Sequence, residues 1–256
     1  MSRIEQTFQE LKETGKKALI TYIMSGDPSF KATKKFITDL EQAGADIIEL
    51  GVPFSDPLAD GPTIQRAHER ALQNGITLKK VLALVKEIRQ TTQIPLILMT
   101  YYNPVFKFGV DAFVKKAVEA GVDGVIVPDL IPDEADELIG SAKQHNLDTI
   151  FLLAPTSTQD RIKKVVSAST GFIYYVSITG ITGGKLSVSR LMKETLNLVK
   201  KSSKKPVVVG FGISKPEEAS TIAGLADGVI VGSAIVKLIS QGKAINKFVT
   251  SLRKAI

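Results

Sequence analysis

The sequence contains no cysteine among its 256 residues and only two histidines. Without thiols the chain can form neither a disulfide nor a thiolate metal site. This composition is typical of a reducing compartment, so we expect a cytoplasmic protein. His68 and His145 both fall on predicted helices, where a surface or helix-cap position is favoured over metal ligation. We therefore expect no metal site.

Long apolar runs and low-complexity segments are also missing from the sequence. No apolar run approaches the ~18 residues that a membrane-spanning helix needs. The polar, helix-like start of the chain gives no sign of a signal peptide. Because no linker-like stretch interrupts the pattern, we expect one domain over residues 1–256.

The net charge of +7 arises from 33 basic and 26 acidic residues. An excess of this kind can attract nucleic acid or anionic substrates. The lysines are scattered over predicted helices, however, and no basic patch is interleaved with aromatic residues. A solvated, lysine-rich surface is therefore favoured over a nucleic-acid interface.

What the sequence does contain is a regular alternation of apolar strands and amphipathic helices. After an N-terminal helix that begins with a capping box of Ser2 and Glu5, eight predicted strands are each followed by a helix. The strands are predicted over residues 18–24, 45–50, 94–100, 124–127, 149–153, 172–177, 206–209 and 228–231. Strict alternation implies parallel strands. Eight units in this length indicate an α/β fold, a single (β/α)8 TIM barrel with an extra N-terminal helix.

Three helix-to-strand junctions share one pattern, in which an aspartate precedes an apolar strand. The aspartates are Asp46, Asp123 and Asp227, at predicted strands two, four and eight. Either the chemistry of such turns selects this pattern, or the barrel is built from equivalent units. Both interpretations favour the same fold.

Residues 48–61 contain three carboxylates at the end of the second strand. Glu49 ends an apolar strand, where desolvation should raise its pKa and suit it to give and take a proton. The alternative is an ion pair with a buried cation, but the predicted strand ends carry no lysine or arginine. Asp60 could hold or deprotonate a substrate N–H group, or cap the next helix. A loop or interface role suits Asp56 better.

Glycine-rich loops follow predicted strands six, seven and eight, side by side in a barrel. Glycines let backbone N–H groups approach an anion, and a helix N-terminus adds partial positive charge. We predict a phosphate site there, against the alternative that turns alone require the glycines. Its residues are Thr182, Gly183, Gly184, Gly210, Phe211, Gly212, Gly232 and Ser233.

An apolar, aromatic wall is predicted at the same barrel mouth, where it would suit a flat aromatic substrate. The tyrosines are favoured over ordinary core residues because their hydroxyl groups need polar neighbours. The residues concerned are Tyr22, Tyr102, Leu153, Tyr174 and Phe211.

The gapless segment ELGVPFSDPLADG at 49–61 resembles the diagnostic motif of the tryptophan synthase alpha chain family. Similar segments follow in order: MTYYNP at 99–104, GITG at 180–183, VGFGIS at 209–214 and VGSAIV at 231–236. The resemblance covers nearly the whole chain. Its first motif is highly specific, whereas other phosphate-binding barrels share the glycine loops.

The resemblance implies a lyase of tryptophan biosynthesis that cleaves indole-3-glycerol phosphate to indole and glyceraldehyde 3-phosphate. It implies that Glu49 is the general acid/base, that Asp60 bonds the indole N–H, and that Tyr174 supports the substrate near Glu49. Phe211 and the backbone of Gly183, Gly212, Gly232 and Ser233 would bind phosphate. The indole and glycerol pocket would be lined by Tyr22, Thr100, Tyr102, Asp129 and Leu153.

The resemblance also implies a partner, a tryptophan synthase beta chain in an alpha-beta-beta-alpha heterotetramer. Pyridoxal phosphate would belong to that partner, and this chain would need no cofactor. The loops at 53–60 and 179–185 would form a lid and a communicating surface. Gly184 and Lys185 depart from the alanine and arginine common in the family. A non-catalytic regulatory subunit and another phosphate-sugar barrel enzyme remain the alternatives.

Overall fold

The computed structural model describes residues 1–176, 188–210 and 212–256, and its strands form one parallel sheet. The strands are β1 (Ala18–Met24), β2 (Ile47–Gly51), β3 (Leu96–Met99), β4 (Gly124–Ile126), β5 (Asp148–Ile150), β6 (Leu152–Leu153), β7 (Ile173–Val176), β8 (Val207–Gly210) and β9 (Gly228–Val231). Their order in the sheet is β5-β4-β3-β2-β1-β9-β8-β7-β6. Because β5 and β6 are separated along the chain only by Phe151, the two ends of this order meet and the sheet curls into a barrel.

The predicted (β/α)8 barrel is thereby confirmed, with one local difference. The predicted fifth strand is interrupted at Phe151, and its two halves pair with different neighbours. β5 pairs with β4, and β6 pairs with β7. The interruption therefore lies where the strand passes from one partner to the other.

Helices surround the barrel and follow the strands in alternation. They are α1 (Arg3–Glu13), α2 (Phe30–Gln42), α3 (Pro62–Gln73), α4 (Leu78–Ile88), α5 (Tyr102–Phe108), α6 (Val110–Ala120), α7 (Asp136–His145), α8 (Gln159–Ala168), α9 (Arg190–Ser202), α10 (Pro216–Ala223), α11 (Ser233–Ser240) and α12 (Asn246–Ala255). The short helix α5 was not predicted, and the region predicted as one final helical segment divides into α11 and α12. Among the described helices, none is long and apolar enough to cross a membrane.

The extra N-terminal helix is confirmed and closes one end of the barrel. Ser2 and Glu5 form the predicted capping box at its start. The buried side chains Ile4, Phe8 and Leu11 join the apolar cluster of the barrel interior, where the rings of Phe8 and Phe172 lie 5.8 Å apart. The opposite end, where the strands reach their carboxyl ends, is left for a site.

Alternation along each strand sorts the side chains into two apolar clusters. The interior cluster contains the inward-facing residues Ile20, Ile47, Ile97, Ile126, Ile150, Phe172, Val208 and Ile230. Their neighbours in sequence belong to the larger cluster between the sheet and the helices. This alternation decides which residue at each strand end reaches the interior.

The repeated aspartates carry out one structural task at the closed end of the barrel. Each accepts a hydrogen bond from the backbone N–H of the preceding strand: Asp46 from Leu19, Asp123 from Leu96, and Asp227 from Val207, at 2.7 to 2.9 Å. Thr170, ahead of β7, accepts from Thr149 N–H in the same way at 2.8 Å. The sequence pattern therefore reflects four equivalent junctions in a barrel of repeated units.

Candidate active site

Glu49 lies on β2, inside the open end of the barrel. It is only 1% exposed, and within the described parts of the chain neither carboxylate oxygen has a hydrogen-bond partner. Burial raises its pKa to about 8, and the negative charge of Asp60 adds to the increase. A carboxyl group with this pKa can both donate and accept a proton near neutral pH.

Two tyrosines share the interior with Glu49. Tyr22 is the register partner of Glu49 on β1, and Tyr174 projects from β7. Burial raises the pKa of both phenols well above the usual range, with Glu49 and Asp60 adding to the effect. At neutral pH both hydroxyl groups are therefore neutral and can donate hydrogen bonds.

Glycines on neighbouring strands make room for these two rings. A Cβ atom on Gly210 would lie 2.6 Å from the hydroxyl oxygen of Tyr174. A Cβ atom on Gly51 would meet the hydroxyl of Tyr22, and one on Gly232 would lie 3.2 Å from the Cβ of Tyr22. These glycines therefore shape the interior by lacking a side chain, in addition to any contact that their backbones make.

Asp60 is held at the rim of the barrel by two side chains. Its Oδ2 accepts a hydrogen bond from the hydroxyl of Tyr101 at 2.8 Å and lies 3.1 Å from Nε2 of His68. Tyr101 also accepts from Ala59 N–H at 3.0 Å, and its ring stacks on Phe54 with centroids 5.1 Å apart. Asp60 is thus a fixed acceptor whose carboxylate is close enough to affect the pKa of Glu49.

Residues 55–59 of the loop between β2 and α3 are mostly exposed. Asp56 is exposed and accepts a hydrogen bond from its neighbour Ser55. Leu58 is 90% exposed, although it is a large apolar residue. This arrangement separates Asp56 from Asp60, and it agrees with the expectation that Asp56 lies on the loop surface.

The helix N-terminus predicted to bind phosphate is open. The first residue of α11 is Ser233, which is exposed, and no side chain within the described residues caps the helix. The neighbouring α10 differs, because Glu218 accepts from the backbone N–H groups of Ser214 and Lys215. The backbone donors of α11 therefore remain for an anion. Gly212, with φ +58°, is exposed on the loop before α10.

Several predicted phosphate residues lie outside the described residues or in another place. Thr182, Gly183, Gly184 and Phe211 fall outside the described residues, as does the 179–185 loop. Gly210 is the last residue of β8, beside the Tyr174 ring, and is part of a strand and not of a loop.

Two of the predicted pocket residues do not face the interior. Leu153 is fully buried in the cluster between the sheet and the helices, and the interior residue of that strand is Leu152. Thr100 follows the inward-facing Met99, is fully buried, and bonds through its hydroxyl to the carbonyl of Tyr101 at 3.3 Å. Both expectations differ from the structure by one residue along a strand, and a shift of one residue reverses the face.

Asp129 and Tyr102 lie together on the outer rim of the mouth. Asp129 is exposed and accepts a hydrogen bond from Tyr102 N–H at 2.9 Å, which supports the start of α5. Both line a surface groove of about 360 Å³ with Phe106 and Glu134. Asp129 therefore has a structural task at the rim, and its carboxylate is not inside the barrel.

Sequence reasoning missed His68 and Tyr101 as parts of the site. His68 was interpreted as a surface or helix-cap residue, but it is buried at 3% exposure on α3. Tyr101 lies within the segment 99–104 but was not singled out. His68 shares the buried face of α3 with Ile64, Ala67 and Ala71, and this helical spacing was the signal available for it. Within the described parts of the chain, no cluster of histidines and carboxylates could hold a metal ion.

Fold and site together define a class of protein. The chain is a parallel α/β barrel with a desolvated carboxyl group, a fixed second carboxylate and an open helix N-terminus at one mouth, an arrangement suited to proton-transfer chemistry on an anionic substrate. The model of the tryptophan synthase alpha chain family matches residues 8–255. The chain belongs to the tryptophan synthase alpha chain family.

Individual relatives and solved structures agree with this assignment. The chain is 55% identical to the tryptophan synthase alpha chain of Geotalea uraniireducens over 241 residues, 94% of this chain and 90% of the relative. It is 53% identical to that of Geotalea daltonii over 258 residues, 100% of this chain and 98% of the relative. The structure of the Legionella pneumophila alpha subunit is similar with a TM-score of 0.92 at 41% identity, covering 100% and 98% of the two chains. A chain of aminoacrylate-bound Mycobacterium tuberculosis tryptophan synthase gives 0.91 at 40% identity, with 100% of both chains covered.

Proposed function

We propose that Glu49 and Asp60 carry out the lyase reaction of this family in the open end of the barrel. The reaction is the cleavage of indole-3-glycerol phosphate to indole and glyceraldehyde 3-phosphate, and the chain is the alpha subunit in tryptophan biosynthesis. The observation that carries the proposal is the burial of the Glu49 carboxyl group, whose oxygens have no hydrogen-bond partner within the described residues. Burial beside Asp60 raises its pKa to about 8 and keeps the carboxyl group protonated at neutral pH.

The proton balance of the reaction fits one such group. Glu49 donates its proton to indole C3, which leaves a positive charge shared with the ring nitrogen. The resulting carboxylate then accepts the proton of the glycerol hydroxyl as the carbon–carbon bond breaks. The bonding pair returns to the ring, which restores indole, and the hydroxyl carbon becomes the aldehyde. A single carboxyl group thus moves one proton from oxygen to carbon and ends protonated.

Asp60 is the group proposed to face the ring N–H. Its Oδ2 is occupied by Tyr101 and His68, and among the described residues Oδ1 has no hydrogen-bond donor. An N–H···O bond from the ring to Oδ1 would strengthen as the nitrogen becomes positive, so it would favour the transition state more than the ground state. Tyr174 would support the substrate beside Glu49, and Tyr22 would line the ring pocket.

The phosphate end of the substrate is proposed to lie at α11. Gly232, Ser233 and Gly212 would offer backbone donors, which is supported by the uncapped α11 N-terminus and the exposure of Ser233 and Gly212. Gly183 and Phe211, which lie outside the described residues, stay part of this proposal through the family resemblance. Placing phosphate there positions the ring toward Glu49 across the barrel mouth.

As an alpha chain the protein pairs with a tryptophan synthase beta chain, which holds the pyridoxal phosphate, and needs no cofactor of its own. We propose the outer face of the 53–60 loop as part of the contact with that partner. Its support is the exposure of Leu58, together with that of Phe106 on α5. We also propose a cytoplasmic location, as expected of a biosynthetic enzyme without cysteine.

The test is release of indole from indole-3-glycerol phosphate, measured with and without a beta chain. The wild type should release indole, and Glu49→Gln should lose at least about 1,000-fold in kcat while remaining folded. Glu137→Gln, on the exposed face of α7, is the matched control and should keep full activity. Near-normal turnover by Glu49→Gln would reject the role of Glu49. Activation of a beta chain without indole release would favour a regulatory subunit instead.

A further inference from the structure

His68 makes two hydrogen bonds inside the protein, and each ring nitrogen takes part in one of them. The backbone N–H of Phe54 donates to Nδ1 at 2.9 Å, and Nε2 lies 3.1 Å from Oδ2 of Asp60. A backbone N–H can only donate, so Nδ1 must be the unprotonated nitrogen. Nε2 therefore carries the ring proton and donates a hydrogen bond to Oδ2 of Asp60.

These two partners lie at opposite ends of one loop. Phe54 lies shortly after β2 and Asp60 shortly before α3, so a single buried imidazole connects the beginning and the end of the 53–60 loop. The residues between them, Ser55 to Ala59, are mostly exposed. Tyr101 packs against both of the other rings. Its ring stacks on Phe54 and makes an edge contact with His68, with ring centroids 6.1 Å apart.

The bonds to Asp60 also determine how its carboxylate is turned. His68 and Tyr101 both bond to Oδ2, and two donors on one oxygen restrict rotation of the carboxylate. Because both oxygens belong to one planar carboxylate, holding Oδ2 in place also sets the direction in which Oδ1 points. Without His68, one hydrogen bond from Tyr101 would leave the carboxylate free to turn about that contact.

We propose that His68 is a positioning residue for the reaction: through its Nε2–H bond it holds the carboxylate of Asp60 in the orientation that receives the ring N–H of the substrate. The inference rests on the proposed function for its chemical meaning, because Asp60 is the group that would touch substrate. His68 itself touches neither the substrate nor Glu49. It acts on the rate through Asp60, and on the loop through Phe54.

Two substitutions separate these two bonds. The Oδ1 of asparagine can take the place of Nδ1 and accept from Phe54 N–H, but the side chain does not reach Asp60. The amide nitrogen of glutamine can take the place of Nε2 and donate to Asp60, without accepting from Phe54. If positioning of Asp60 matters, His68→Gln should keep kcat within about 3-fold of wild type and His68→Asn should lose about 10-fold or more.

The decisive measurement is the effect of His68→Asn in two backgrounds. In the wild type we expect kcat for indole release to fall about 10-fold with KM changed less than about 3-fold, and in Asp60→Asn we expect less than about 2-fold further loss. Equal losses in both backgrounds would show that His68 acts by another route. His145→Asn, which alters the other histidine at its partly exposed contact with Asp111, should change neither parameter.

A second readout does not depend on activity. Nitrogen-15 NMR of the whole protein should show the proton of His68 on Nε2, protected from solvent exchange, and the protection should disappear in Asp60→Ala. A proton on Nδ1, or protection that persists without Asp60, would overturn the proposal. If the wild type releases no indole with or without a beta chain, the proposed function fails, and the NMR result alone then decides whether His68 holds Asp60.

Discussion

Tyr22 and Glu49 are register partners on neighbouring parallel strands, so a phenol and an unpaired carboxyl group lie side by side inside the barrel. Ordinary cores avoid such a pair, because a buried carboxylate without a partner is costly. Here burial keeps the carboxyl group protonated, with a pKa of about 8. The stability of the fold and the proposed chemistry consequently depend on the same proton.

The first prediction concerns stability against pH. The pKa of Glu49 is raised from 4.5 in the unfolded chain to about 8 in the folded protein. The folded state therefore retains a proton that the unfolded state releases, and the free energy of unfolding falls by about 1.4 kcal/mol per pH unit between these two values. Below pH 4.5 the effect is absent.

Glu49→Gln removes this penalty, so its free energy of unfolding should exceed that of the wild type by about 3 kcal/mol at pH 7 and by little at pH 4.5. Urea unfolding at several pH values measures the difference. A constant difference across this range would mean that Glu49 is not buried as an acid in solution.

The second prediction concerns the pH dependence of indole release. Glu49 must be protonated to donate to the ring, so kcat/KM should fall tenfold per pH unit above its pKa of about 8. The negative charge of Asp60 contributes to that pKa, so Asp60→Asn should move the decline to lower pH. An alkaline limb unaffected by Asp60→Asn would contradict the coupling of the two groups.

The third prediction tests the space that glycine leaves for Tyr174. Gly210→Ala places a Cβ atom 2.6 Å from the tyrosine hydroxyl, so the ring must move toward its neighbours. We expect about 1 to 3 kcal/mol of destabilisation from overpacking, together with a lower kcat. Gly140→Ala is the control. It lies in α7 with open space around its Cβ position and should instead stabilise by about 0.5 to 1 kcal/mol.

The fourth prediction tests the helix N-terminus at Ser233. Ser233→Asp puts a negative charge at the first position of α11, which should stabilise the helix by about 0.3 to 1 kcal/mol. The same charge should repel the substrate phosphate and raise KM about 10-fold or more. Ser220→Asp, on the exposed face of α10, should leave KM unchanged. An unchanged KM in Ser233→Asp would show that the substrate phosphate does not bind at α11.

The fifth prediction concerns the closed end of the barrel. Asp123 is buried and accepts hydrogen bonds from Leu96 N–H, from Arg3 and from Arg89. Asp123→Ala leaves a largely buried guanidinium without its partner and should cost about 3 to 5 kcal/mol of unfolding free energy.

Because Asp123 lies at the end opposite the proposed site, kcat at a temperature where the variant is folded should stay unchanged. Glu194→Ala, which removes an exposed pair with Arg190, should change the unfolding free energy by less than about 1 kcal/mol. A large drop in kcat for Asp123→Ala alone would indicate coupling between the two ends.

Much of the fold was predictable because local rules agree with one another. Alternating strands and helices, the capping box at Ser2 and the helix stops indicated the barrel before any contact was known. The burial of Glu49 was also foreseeable, since a carboxylate within an apolar strand has nowhere else to point. The observed helix and strand bounds differ from the predicted ones by a few residues, and α5 was not predicted. The first and last residues of a helix or strand depend on contacts with other parts of the fold, which the sequence pattern does not show.

The sequence by itself determined the parallel barrel, the glycine loops and a buried carboxyl group with a raised pKa at Glu49, because strand periodicity and composition encode them locally. Only the tertiary structure decided that Leu153 packs between the sheet and the helices and that Thr100 is fully buried beside the inward-facing Met99, since strand phase is set by packing on both faces. It alone joined His68 to Asp60 and Phe54. That connection requires α3 to fold back over the loop before it, and a contact between side chains on different elements leaves no periodic signal in the chain.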